Sequence, residues 1–206
     1  MSDQADSARS DLAFLKAVVD DKGPLMGVFG AHLFWPGLIY GLNFVYIWAI
    51  AAGHVPWPWE GLAWTWVPGT ILYTPIPIYL WWRSRGITLG PSARGFASAW
   101  STVGAMSAAT VGMLLIATAQ TGHPFYAVWP GLAFVIYGGC WMAGAVVRRQ
   151  LWHGLVSIGA FVTALLSAWR IEQPDMWLVS AAGTLLWVAA PGAVILILAR
   201  RQRANE

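Results

Sequence analysis

Six apolar runs, each about 20 residues long and without an ionised side chain through its middle, leave this chain few folds to choose from. A helix of that length crosses ~30 Å of hydrocarbon. Backbone polar groups cannot turn to water inside a bilayer, so spanning structures are helices or closed barrels. Barrel strands alternate apolar and polar residues, whereas these runs are continuously apolar, and the expected fold is all-α. The runs are read as spans over Pro24–Ala52, Leu62–Trp82, Arg94–Ala119, Phe125–Val147, Leu151–Trp169 and Met176–Ala199. Composition agrees: 58% of the residues are hydrophobic and 10% charged, far from the roughly 25% charged of a soluble domain.

The breaks between runs carry an orientation. Arg9, Lys16 and Lys22 precede the first run, Arg83, Arg85 and Arg94 fill the second break, Arg148 and Arg149 the fourth, and Arg200, Arg201 and Arg203 the tail. The alternate breaks hold Arg170 alone. By the positive-inside rule the chain is a polytopic integral membrane protein with six transmembrane helices and both termini cytoplasmic. Residues 1–23 form a cytoplasmic arm, 24–199 the six-helix domain and 200–206 a basic tail. The first run is longer than a signal-peptide core and lacks a small-residue cleavage site after it, so it is expected to remain as an anchor.

Within the arm, Leu12, Leu15 and Val19 recur at helical spacing while Asp11, Lys16, Asp20 and Asp21 lie mostly away from them, which predicts a short amphipathic helix. Such a helix lies on the inner leaflet or docks a cytoplasmic protein partner. The stretch from Asp11-Leu12-Ala13-Phe14-Leu15-Lys16 to Leu38-Ile39-Tyr40-Gly41 resembles the opening of small bacterial membrane proteins, which share a polar arm with an Asp-Leu-x-Phe-Leu string ahead of a Gly-rich first helix. The resemblance implies a bacterial inner-membrane location and carries over no activity. The basic breaks favour anionic membrane lipids as partners, and without a basic domain no nucleic acid is expected. Cys140 is the only cysteine, so an intrachain disulfide is excluded.

Membrane helices associate through close packing of small residues. Gly104, Ala108 and Gly112 line the third run, Gly37 and Gly41 the first, and Gly139, Ala143, Cys140 and Gly144 the fourth. These three helices are expected to form the tight part of the bundle. The stripes fit a neighbouring helix or a second copy of the chain equally well, which leaves a homo-oligomer open. The second run contains Pro68, Pro75 and Pro77, each deleting a backbone hydrogen bond, so this helix must be kinked or partly unwound. The Thr70 and Thr74 hydroxyls are expected to satisfy its loosened backbone, and a substrate site beside the kink is the alternative. Trp35-Pro36-Gly37-Leu38-Ile39-Tyr40-Gly41 in the first run and Trp129-Pro130-Gly131-Leu132 through Tyr137-Gly138 in the fourth are similar, which makes a three-plus-three inverted duplication one reading of the chain.

An ionised residue at membrane depth marks most ion-coupled carriers, and no Asp, Glu, Lys or Arg lies within the middle of any run here. Motifs for metalloprotease, serine hydrolase or phosphate-loop chemistry are also missing, so enzymatic function is not the expected class and no cofactor is assigned. The polar residues of the interior gather on the first run: His32 and Asn43 are about three helical turns apart on one face, flanked by Tyr40 and Tyr46. That face should turn inward, with His32 bonding to a neighbouring helix. Tyr73 on the kinked second run, and Glu60 in the tryptophan-rich first break, complete a candidate ligand-binding set of His32, Tyr40, Asn43, Tyr46, Tyr73 and Glu60. Most of the fifteen tryptophans serve an interfacial belt. The four histidines, His54 and His123 in one set of breaks and His32 and His153 toward the other side, raise axial haem ligation as a further reading. The expected function is a non-enzymatic binding, sensing or scaffold bundle; the alternative is a small carrier or channel for a neutral or apolar solute.

Overall fold

Every apolar run forms helix. A computed structural model describes residues 25–56, 62–85 and 91–204, and no strand occurs among them. Helix α1 covers Leu25–Ala51. The second run divides into a 3-10 turn at Leu62–Thr65, α2 at Trp66–Tyr73 and α3 at Pro75–Ser84. Helix α4 is Pro91–Thr121, and a 3-10 turn at Phe125–Val128 leads into α5 at Trp129–Arg148. Helix α6 is Leu151–Trp169. The last run is α7 at Asp175–Thr184, a π turn at Leu185–Ala189, and α8 at Ala190–Ala204. Five helical stretches are long and apolar enough to cross a membrane: Gly27–Ala51, Trp100–Thr121, Trp129–Val146, Leu151–Trp169 and Asp175–Gln202. This is the make-up of a multi-pass membrane protein. The amphipathic arm lies outside the described residues.

The exposed surface suits lipid. Leu151 is 90% exposed, and Leu165 and Val146 are each 72% exposed. Apolar area of that extent on a water-soluble monomer would be an aggregation site.

The second run departs from the other five for the reason its prolines supply. Pro75 and Pro77 have no N–H, so the carbonyls of Ile71 and Tyr73 lose their helical donors. The Thr70 hydroxyl instead donates to the Trp66 carbonyl at 2.9 Å, and the Thr74 hydroxyl donates to the Thr70 carbonyl at 2.7 Å. The Thr70 carbonyl already receives the Thr74 N–H at 2.9 Å. The two hydroxyls therefore bond carbonyls other than those the prolines free, contrary to the sequence expectation.

Helix α1 runs antiparallel to the last run, and glycines set their separation. A Cβ on Gly37 would lie 2.7 Å from Ala189 Cα, one on Gly192 2.8 Å from Phe34 Cα, and one on Gly41 2.7 Å from Leu185 Cδ2. Helices α5 and α6 form a second tight antiparallel pair. Ser157 Oγ donates to the Gly138 carbonyl at 2.7 Å, and a Cβ on Gly138 would meet the Phe161 ring at 2.7 Å. The sequence expectation that the first, third and fourth runs make the tight contacts is thus corrected. Gly104, Gly112 and Gly139 face open space where a Cβ would sit. A small residue permits close approach, but a complementary small surface is also needed, and Ala181, Ala189 and Gly192 supply it on the last run.

The π turn has a local cause in Pro191, whose ring would strike the carbonyl four residues back in an ordinary turn. Widening the turn lets the Ala190 N–H reach the Leu185 carbonyl. It also carries Trp187 against α6, where the indole N–H donates to Thr163 Oγ1 at 3.1 Å. Ser167 and Ser180 approach to 3.3 Å between α6 and α7. Buried serine and threonine hydroxyls thus join neighbouring helices in the absence of charge.

Two aromatic clusters occupy opposite ends of α1. Toward its start, Phe29 meets Trp100, and Trp100 meets Trp141, at centroid separations of 5.2 and 5.5 Å. Toward its end, Phe44 and Ile47 pack with Met176, Trp177 and Ala181. The second of these clusters borders the candidate site.

Candidate functional site

The second run presents one stripe to α1, with Thr65, Gly69 and Leu80 buried and Tyr73, Ile76 and Pro77 half-buried. Four-residue steps keep Thr65, Gly69 and Tyr73 on a common face. Gly69 sits where α1 comes closest: a Cβ there would lie 3.3 Å from Asn43 Cγ and 3.4 Å from Tyr40 Cε1. The lack of a side chain at Gly69 is what admits the carboxamide of Asn43 and the ring of Tyr40 together.

Aromatic rings surround that junction. Tyr40 stands edge-on to Tyr73 with centroids 5.7 Å apart, and tilts toward Trp66 at 6.3 Å. Trp66 in turn meets Phe44 at 5.3 Å and Trp177 at 6.2 Å. Tyr137, on α5, belongs to the other aromatic cluster, edge-on to Trp100 with centroids 5.7 Å apart. Two phenols and one carboxamide from two apolar runs therefore converge.

Asn43 is the exceptional member. It is 8% exposed, and its Nδ2 is buried without a hydrogen-bond partner. Desolvating an amide donor and leaving it unmade costs about 1–3 kcal/mol, so a native chain that keeps one has a use for it or a guest for it.

Of the six sequence-predicted site residues, the structure brings together Tyr40, Asn43 and Tyr73. His32 is half-buried one helical stretch away, and its Nδ1–H donates to the Val28 carbonyl, 3.1 Å off, on its own helix. The expectation of a bond from His32 to a neighbouring helix is thereby corrected: the carbonyl one turn back on its own helix lies within reach of the imidazole. Tyr46 is 38% exposed on the flank of α1. Glu60 lies outside the described residues.

Gly69 and Trp66 are the site residues that sequence reasoning missed. Tyr40-Gly41 and Tyr137-Gly138 close the similar strings of the first and fourth runs, and both glycines lie at close helix contacts.

The remaining histidines sit elsewhere. His54 and His123 are exposed in turns, with their rings 5.1 Å from Trp48 and 5.2 Å from Phe125. His153 is buried between Trp152 and Trp141. Among the described residues no group of three or more His, Cys, Asp or Glu could hold a metal ion. The haem reading gains no support from these placements.

Comparison with protein-family models, curated proteins and solved structures finds no match to the chain. Function is therefore argued from the junction itself.

Proposed function

We propose that this protein is a non-enzymatic ligand-binding or sensing bundle of the bacterial inner membrane, with six spans, both termini cytoplasmic, and its ligand held between the first and second runs. The supporting observation is the buried, unpartnered Asn43 amide at the meeting point of Tyr40, Gly69 and Tyr73. Trp141 Nε1 and Thr118 Oγ1 are also buried without a partner, and Asn43 is set apart by its place where the second run approaches the first at Gly69. The six-span topology and the orientation rest on the basic breaks of the sequence, and anionic lipids are the expected neighbours of those breaks.

Native mass spectrometry of protein extracted in mild detergent tests this reading. The wild-type chain should retain a small-molecule adduct that the Asn43→Leu variant loses. Equal occupancy in the two proteins would overturn the placement of the site.

A second reading, as a carrier for a neutral solute, is favoured by one further observation: the run that walls the site is divided at Thr74 and packs chiefly against α1. Interrupted helices beside a site are the working parts of many transporters. Saturable flux of a neutral solute into proteoliposomes, abolished by Asn43→Leu, would turn the binding protein into a carrier.

A further inference from the structure

The ligand's chemistry can be narrowed from the groups that face it, and this step rests on the binding reading above. Asn43 presents a donor, because the atom left without a partner is Nδ2. The phenols of Tyr40 and Tyr73 can also donate. No lysine or arginine occurs in the segments of the first or second runs that carry these residues, so an anion would find no countercharge. No aspartate or glutamate occurs there either, so a cation would find no countercharge beyond the aromatic faces. Tyr40, Trp66 and Tyr73 contact one another edge-on and tilted, with centroids 5.7 to 6.3 Å apart, so the border of the amide is aromatic. A guest that meets all of these conditions is neutral, planar and apolar in bulk, and it carries an oxygen acceptor.

We propose that the junction of α1 and the divided second run binds a membrane-soluble aryl ketone or quinone-type carbonyl compound, with the carbonyl oxygen accepting from Asn43 Nδ2 and the ring seated beside Tyr40, Trp66 and Tyr73. Recognition is by hydrogen bonding and stacking alone, and no bond is made or broken. A carbonyl supplies the acceptor whose absence leaves Asn43 unpartnered, and membrane solubility follows from a site that lies among apolar runs.

Benzophenone is a suitable probe, since it is itself a neutral aryl ketone and inserts into nearby C–H bonds when irradiated. Full-length protein in nanodiscs of phosphatidylethanolamine and phosphatidylglycerol is irradiated with it, and the insertion sites are mapped by peptide mass spectrometry. The expected result is insertion on α1 and α2 near Asn43 and Gly69, reduced at least fivefold by excess menadione, unaffected by diphenylmethane, and lost in Asn43→Leu. Diphenylmethane keeps the two rings and lacks the carbonyl. Competition by diphenylmethane equal to that by menadione would overturn the carbonyl assignment while leaving a ligand site in place. Insertion spread over the lipid-facing surfaces and unchanged in Asn43→Leu would overturn both the assignment and the site. The thermal midpoint of Asn43→Leu, measured alongside, confirms that any loss is not a folding defect.

Discussion

At the residue scale, the placement of Asn43 opposes stability to function. Its buried Nδ2 lacks a partner, a defect of about 1–3 kcal/mol that an apolar residue would remove. Asn43→Leu, which keeps the branching of the side chain, is therefore expected to raise the thermal midpoint above that of the ligand-free wild type in detergent by a few degrees while abolishing ligand retention. A midpoint lowered by the same amount would mean that the amide is satisfied in the membrane and that the site has been misplaced. Polar side chains such as Asn43, Tyr40 and Tyr73 were legible in the sequence because each stands out in an apolar run. Gly69 was not, since a glycine reveals nothing of what it admits until its neighbour is known. The partner of His32 was misjudged for a related reason: a ring nitrogen on a helix has a carbonyl four residues back within reach, and only geometry decides between that and a neighbouring helix.

At the scale of elements, close helix contacts follow paired small surfaces. Gly37→Ala would drive a methyl group into Ala189 and should destabilise the bundle by about 1–3 kcal/mol, the usual cost of overpacking. Gly104→Ala meets open space and should leave the thermal midpoint unchanged or slightly raised. Equal losses in the two variants would show that α4 is covered by a further partner. The sequence displays the small-residue stripes of the first, third and fourth runs with equal clarity, yet only that of the first is fully used, because Ala181, Ala189 and Gly192 lie opposite it. The break in the second run was legible from Pro75 and Pro77. Pro75→Ala should restore the donor to the Ile71 carbonyl and fuse α2 with α3, which slower amide hydrogen exchange across residues 66–84 would report. If the carrier reading holds, the same variant should also slow flux.

At the scale of the whole molecule, neutrality of the interior is the organising property. Buried hydroxyls at Ser157, Ser167, Ser180 and Thr163, together with the Trp187 indole, join helices that carry no internal charge. Against that background a convergence of two phenols and one unsatisfied amide is distinctive. The site exists as a membrane site only if the second run crosses the bilayer beside the first, despite its division at Thr74. That parity decides whether the protein has six spans and whether its termini share a side. The most direct measurement uses the Cys140→Ala background with single cysteines placed at Ala52, Arg85, Gln150, Gln173 or Gln202, and a membrane-impermeant maleimide applied to intact and permeabilised spheroplasts. Six spans with cytoplasmic termini predict labelling of Ala52→Cys and Gln173→Cys in intact spheroplasts, and of Arg85→Cys, Gln150→Cys and Gln202→Cys only after permeabilisation. Labelling of Ala52→Cys and Arg85→Cys from the same side would show that the second run does not cross, and would contradict the proposed topology and the site built on it.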